Sequence, residues 1–389
     1  MALLLCCSVC SALCFIYTAY YLFKKVRRPR IYGKKTGSFY KHILAHCPSL
    51  SRKYWPTWWA INAHVITIGR LALQRPPSGL TYKREIFNVS DGGSLALDWA
   101  DPEVHSIKDD SPILLILTGL TSSSKVVYVQ WLVSDGLSEG YRPVVMSFRG
   151  LGGLLLKTPR AYCANTDDLE PVLKYIHSSW PNVPVVGIGI SIGGIILVQH
   201  LRERGRDSGL AGVATVSSSW DAHVTLFETL EKPLNWLFYN RHLTKLLVNY
   251  INKNCKHLME KGAMTKEQGE ELMQKAKKCS TIREFDEAIT VPAFGYDSLW
   301  EYYENGTNGN KLHQVKTPLL SINAENDPFV PEKVLPIDGF CANDDAVLVV
   351  PSHGGHIGFL EGMLPTRGTW MNKVLREFLN AIKLYDKNK

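Results

Sequence analysis

Val183-Pro-Val-Val-Gly-Ile-Gly-Ile190-Ser191-Ile192-Gly193-Gly194 is an apolar run that ends on a serine set between glycines. A helical pattern follows, from Ile192 to about Arg202. An apolar run of this length bounded by glycine reads as a buried strand. Strand, tight turn with a central serine, then helix is the arrangement of a nucleophile elbow. The serine takes a strained backbone conformation, and the positions two residues away must be glycine so that backbone can pass close to backbone. The turn presents the hydroxyl and aims the N–H groups of the next helix at the same point. With Gly and Ser each near 7% of residues, about 0.1 chance matches are expected in a chain of this length. A glycine-rich turn of a dinucleotide-binding sheet is the competing reading, but no G-x-G-x-x-G stands here.

Outward from the elbow the same alternation repeats. Glu85–Val89 and Leu95–Trp99 flank Ser90-Asp91-Gly92-Gly93 and read as a hairpin. Ile113–Leu117 precedes a helix from about Lys125 to Glu139. Pro143–Phe148 precedes one around Asp167 to Ser178, and Ala211–Val216 is a further strand. Continuous apolar strands alternating with helices predict a mostly parallel sheet covered on both faces. The alternation stops at Ser217. Residues 220–310 are helical in pattern and rich in Lys, Glu and Leu, and strand signals return at Thr317–Ile322 and Ala346–Val350. A last helix runs from about Thr369 to Tyr385. One sheet interrupted by a helical insert is expected.

A nucleophilic serine needs a base, and the base an orienting acid, in the chain order Ser, acid, His. After Thr317–Ile322 comes Asn323-Ala-Glu-Asn-Asp327-Pro328, a loop at a strand's carboxyl end, where such sheets place function. Asp327 is the candidate acid and Glu325 its rival. After Ala346–Val350 comes Pro351-Ser-His353-Gly-Gly-His356, where two glycines let the loop bring an imidazole into a cleft. His356 is the candidate base and His353 its rival. The oxyanion would meet two backbone N–H groups, of Ile192 and of Leu120 in Thr118-Gly119-Leu120-Thr121. Arg149 and Arg160 could reach a phosphate headgroup, although capping is the commoner use. His105 and Asp110 match an acyltransferase spacing by chance, in a polar loop. No cluster has metal-ligand spacing, and no cofactor is expected.

The chain has 389 residues, 45% of them hydrophobic, which excludes disorder as the main state. Its 30 Gly and 20 Pro show no period, which excludes collagen-like classes. The net charge of +8 would suggest nucleic acid, but it is unevenly placed. Residues 1–84 hold 14 Lys and Arg and no acid; the remaining 305 hold 30 against 36 acids, so a +14 segment joins a −6 body. No nucleic-acid partner and no obligate protein partner is expected.

Ala2–Phe23 carries no charge and is followed by Lys24, Lys25, Arg27, Arg28 and Arg30. About 20 apolar residues span a bilayer. No basic region precedes the run and no small-x-small site lies before the Lys pair, which favours a retained anchor over a cleaved signal. The basic flank predicts a cytoplasmic C-terminal side. Cys6, Cys7, Cys10 and Cys14 lie inside the run, as apolar packing or acylation sites. Cys47, Cys163, Cys255, Cys279 and Cys341 are scattered and suit a reducing compartment, while Asn88 and Asn305 open two glycosylation sequons. Residues 31–80 are basic and aromatic, with Tyr54-Trp55-Pro56-Thr57-Trp58-Trp59 suiting a lipid interface, the edge of an acyl groove, or an extension packed on the domain.

Together these motifs resemble the membrane-anchored α/β-hydrolase-domain-containing proteins of the subgroup typified by proteins 1 and 3. Thr118–Thr121, Arg149-Gly150, Thr158–Glu170, the Ser191 elbow, Pro233–Trp236, Arg283–Asp286, Phe294–Tyr296 and Gly354–Gly362 carry the resemblance, which extends from about residue 80. Two positions depart from it: Ile192 stands where Met is frequent, and Thr118-Gly-Leu-Thr-Ser122 where Pro-Gly-Leu-Thr-Gly is usual. The resemblance implies an α/β-hydrolase fold, a triad of Ser191, Asp327 and His356, a single-pass anchor and ester hydrolysis on lipids, phosphatidylcholines among them. The expected segments are an anchor at 1–23, a basic juxtamembrane extension at 24–80, and a hydrolase domain at 81–389 with a helical cap at about 220–310. The substrate is expected to be a phospholipid or other lipid ester, and an endomembrane, the endoplasmic reticulum, the expected location. Relatives are often drawn with the catalytic domain on the far side of the membrane, which the basic flank opposes, so both sides stay open. A carboxylesterase, thioesterase or acyltransferase using the same triad, and a silent lipid-binding scaffold, are the alternatives.

Overall fold

The computed structural model of the chain describes residues 2–385, with side chains from residue 6. Met1 and residues 386–389, the ends of the expected anchor and hydrolase segments, lie outside the described residues. Among the described residues nine strands form one sheet: β1 (Arg30–Tyr32), β2 (Tyr82–Asn88), β3 (Ser94–Ala100), β4 (Ile113–Leu117), β5 (Arg142–Ser147), β6 (Val185–Ile190), β7 (Gly212–Val216), β8 (Leu319–Ile322) and β9 (Ala346–Val350). Their spatial order is β1-β9-β8-β7-β6-β4-β5-β3-β2. The six strands β4 to β9 pair in parallel; β3 joins β5, β2 joins β3 and β1 joins β9 antiparallel.

The parallel strands are buried along their length apart from Arg142 at the start of β5, which is why they read as apolar runs. Their side chains divide between two cores. Leu114 and Ile116 of β4 pack with Phe39, Ile43 and the final helix Trp370–Leu384, through Trp370, Leu375 and Phe378. Ile113, Leu115 and Leu117 face the helices Leu169–Ser179 and Ile192–Arg204. Each such buried side chain contributes about 1.5–3 kcal/mol.

Between β7 and β8 a run of helices from Val224 to Gly306 forms a third cluster around Leu247, Tyr250, Ile251 and Phe285. Among the bonds that tie it to the body, Tyr250 donates to the Arg149 carbonyl at 2.9 Å, and Leu156 N–H donates to Asn254 Oδ1 at 2.9 Å.

Residues 24–80 pack onto the sheet and its core. They supply β1 on the sheet edge, register Ile31 with Val349, and bury Phe39, Ile43, Cys47, Leu50 and Tyr54 in the core. Trp55, Trp58 and Trp59 stay exposed. The N-terminal helix Ala2–Tyr20 continues as wider turns through Lys25. Its 20-residue apolar stretch Cys6–Lys25, about 30 Å at helical rise, is long enough to cross a membrane. Tyr17 and Tyr21 donate to the carbonyls of Trp58 and Pro56, the second at 2.7 Å, which fixes the tryptophan loop against its C-terminal end.

Candidate active site

Ser191 sits between β6 and the helix Ile192–Arg204 with φ 54° and ψ −116°, a left-handed conformation that costs a non-glycine residue about 1–3 kcal/mol. The surrounding backbone leaves no alternative. A Cβ on Gly193 would stand 2.4 Å from the Leu117 carbonyl oxygen, and one on Gly189 would stand 2.6 Å from the Gly193 carbonyl oxygen. The G-x-S-x-G spacing is therefore a packing requirement, and Ser191 N–H is held by the Val216 carbonyl at 2.9 Å.

The structure brings three of the expected side chains together. Ser191 Oγ lies 3.2 Å from His356 Nε2, and His356 Nδ1 lies 3.0 and 3.1 Å from the two carboxylate oxygens of Asp327. Nδ1–H donating to the carboxylate leaves Nε2 to accept the serine hydroxyl. Asp327 and His356 are 5% and 7% exposed. Asp327 Oδ1 also accepts the N–H groups of Phe329 at 2.8 Å and Val330 at 3.3 Å, so the buried carboxylate is anchored from its own loop. The Phe329 ring stacks on the imidazole at 4.0 Å and shields it from water.

The rival residues face elsewhere. Glu325 pairs with Arg30 of β1 at 3.2 Å on the exposed edge of the sheet. His353 Nδ1 lies 3.0 Å from Ser352 Oγ; burial, with Lys25 and Arg27 nearby, pulls its pKa down to about 4.

Loop 119–122 presents its amides selectively. Gly119 N–H donates to the Tyr128 hydroxyl at 3.0 Å, Thr121 N–H to the Tyr162 hydroxyl at 3.4 Å, and Ser122 N–H to the Gly119 carbonyl at 3.1 Å. Leu120 lies between them, and its N–H has no partner among the described residues. Leu120 and Ile192 both line the cavity that reaches Ser191 and His356. That cavity runs under the helical insert, walled by Leu226, Leu247, Ile251, Phe285 and Ile289.

One carboxylate stands in this apolar wall. Asp286 accepts from Thr290 Oγ1 at 2.8 Å and Tyr303 at 3.0 Å, and burial raises its pKa to about 6. Arg149 and Arg160 are occupied by carboxylates. Arg149 is buried in a fork with Asp168 at 2.6 Å and with Asp91 at 2.7 Å; Arg160 pairs with Asp167 and Asp91. Arg149 thus has no free face for a headgroup.

Residues outside the motifs shape the site too. Asn326 Oδ1 accepts the N–H groups of Gly354 and Gly355, each at 3.0 Å. Thr67 Oγ1 accepts His356 N–H at 2.9 Å, and Ser217 Oγ accepts Ile357 N–H at 3.1 Å. The only sequence signal for any of these was the polar Asn326 beside Asp327.

Residues 112–363 match the family model described as the alpha/beta hydrolase fold. The chain is 36% identical over 373 residues to phospholipase ABHD3 of Homo sapiens, covering 94% of this chain and 88% of that protein. It is 27% identical over 376 residues to monoacylglycerol lipase ABHD2 of Mus musculus, covering 93% and 87%. Among solved structures, a soluble variant of monoglyceride lipase from Saccharomyces cerevisiae aligns with a TM-score of 0.50 and 12% identity, covering 79% of this chain and 96% of that one. That likeness extends to the fold.

Proposed function

The chain belongs to the α/β-hydrolase family and is an ester hydrolase, and from that premise we propose that it is a membrane-anchored serine hydrolase that cleaves acyl esters of glycerophospholipids, phosphatidylcholine among them. The observation that carries this reading is the hydrogen-bonded series Ser191–His356–Asp327 opening into an apolar cavity.

In this mechanism Ser191 Oγ attacks the ester carbonyl while His356 Nε2 takes its proton. Asp327 holds Nδ1–H and stabilises the imidazolium that forms. The tetrahedral oxyanion is met by the Leu120 and Ile192 N–H groups. His356 then protonates the departing alcohol, and the acyl group stays on Ser191. Water, activated by His356, releases the fatty acid. The cavity under the insert takes the acyl chain, and the names of the 36% and 27% identical relatives favour a lipid ester. The helix Cys6–Lys25 is the anchor in this reading, holding the enzyme on an endomembrane such as the endoplasmic reticulum.

Labelling with a fluorophosphonate probe tests the proposal. Wild type should label and Ser191→Ala should not, and hydrolysis of phosphatidylcholine vesicles should vanish with it. Equal labelling of both proteins, or phospholipid turnover that survives Ser191→Ala, would overturn the reading.

A further inference from the structure

Helix Ala63–Leu73 turns Ile66, Thr67 and Arg70 inward, and Arg70 is 9% exposed. Its Nε is buried with no hydrogen-bond partner, and no carboxylate pairs with the guanidinium among the described residues. The guanidinium lies over the face of Tyr128, whose ring centroid is 4.9 Å from Cζ. A cation–π contact offsets only part of the cost of burying an unpaired ion. Burial draws the Arg70 pKa below the usual guanidinium range, with the Tyr128 hydroxyl pulling weakly the other way. Arg149 shows the contrast: it is buried too but carries two carboxylates.

The position of this lone cation is specific. Tyr128, under the guanidinium, bonds Gly119 N–H of the loop that carries Leu120. A side chain at Gly119 would begin 3.8 Å from Ser191 Cβ. Thr67, one turn before Arg70 on the same face, holds His356 N–H. Arg70 is thus tied, through Tyr128 and through Thr67 on its own helix, to the two loops that bracket Ser191, and it is not among the residues that line the cavity under the insert. A lipid ester whose acyl chain enters that cavity must leave its polar alcohol portion outside, because desolvating it there is costly.

We propose that Arg70 is a phosphate subsite, the partner of the phosphodiester on the alcohol portion of the scissile lipid. A guanidinium fork matches two phosphate oxygens, and a buried one gains most from such a pair. The assignment rests on the lipid-ester reading above and refines it: the site favours phosphate-bearing esters over neutral ones.

The test compares kcat/KM for dioctanoyl phosphatidylcholine and for monooctanoylglycerol, on full-length wild type, Arg70→Met and Arg70→Lys. Met keeps the aliphatic stem against Tyr128. The phosphatidylcholine-to-glyceride ratio should fall about ten- to a hundredfold in Arg70→Met, the size of a lost charge-assisted hydrogen bond, and less in Arg70→Lys. An unchanged ratio, even with both activities lowered together, overturns the assignment and leaves Arg70 a packing residue. Inorganic phosphate in the glyceride assay separates a lipid-borne from a free phosphate. Weak inhibition at millimolar concentration is expected; tight inhibition that Arg70→Met abolishes would assign the subsite to free phosphate instead. A wild type that hydrolyses the glyceride but no phosphatidylcholine sinks the phospholipid reading as well, whereas an unselective Arg70→Met defect in an active phospholipase sinks the subsite alone.

Discussion

Thr67 Oγ1 accepts the backbone N–H of His356 at 2.9 Å, joining two positions 289 residues apart. The bond sets the imidazole from behind, while Asp327 sets it from the side. Thr67 in turn is held by its own helix, donating to the Ala63 carbonyl at 2.7 Å.

Replacing Thr67 by Val keeps its shape and leaves a buried N–H unpaired, at about 1–3 kcal/mol. Thr67→Val should lower kcat on the order of tenfold with KM little changed, and Thr67→Ser should restore it. A loss confined to thermal stability, with kcat intact in the folded fraction, would show that Thr67 only supports packing. Steady-state kinetics beside a melting curve decides between them.

Ser191, Asp327 and His356 were each legible as candidates because each carries its signal within a few residues: Gly189 and Gly193 around Ser191, a strand end before Asp327, and Gly354-Gly355 before His356. The parallel sheet was legible because both of its faces are buried, so its strands are uninterrupted apolar runs. Thr67 and Ser217 were not, since a lone hydroxyl has no pattern and its partner is set by tertiary packing. Strand β1 escaped notice because three residues, Arg30-Ile-Tyr32, are too few to show a period and pair only with a strand more than three hundred positions away. The exposed tryptophans and the buried Tyr54 come from one aromatic segment, and only the fold sorts the one from the other.

Asp327 and Glu325 stand two residues apart in one loop and should differ sharply in effect. Asp327→Asn keeps the shape but removes the charge that stabilises the imidazolium, and kcat should fall by about 10⁴. Glu325→Gln should leave kcat/KM within about twofold, because loss of an exposed pair with Arg30 changes stability by at most about 1 kcal/mol. Hydrolysis of a soluble short-chain ester by the two variants checks this. A Glu325→Gln loss as large as that of Asp327→Asn would move the acid to Glu325.

Two buried carboxylates each contribute a fall in stability with rising pH, opposite in sign to the contribution of His353, whose lowered pKa adds stability between about pH 4 and pH 6.5. Asp135, bonded by Asn372 Nδ2 at 2.5 Å, has its pKa raised to about 7 by burial, and Asp286 in the cavity wall has its own raised to about 6. Each ordinarily titrates near 3.8. Between the ordinary and the raised value the folded chain holds a proton that the unfolded chain has lost, so stability declines as pH rises through that window. The contribution is complete below about pH 4; it is spent by about pH 6 for Asp286 and about pH 7 for Asp135, and each amounts to no more than a few kcal/mol. Asparagine cannot ionise and can still accept a hydrogen bond. Asp135→Asn should therefore remove the part of the decline that reaches pH 7, and Asp286→Asn the part that ends near pH 6. Thermal melts at pH 4, 6 and 8 resolve the two. A wild-type melting temperature that rises from pH 4 to 8 in step with Asp286→Asn would mean that Asp286 is ionised throughout, and the apolar cavity would then carry a fixed negative charge in its wall.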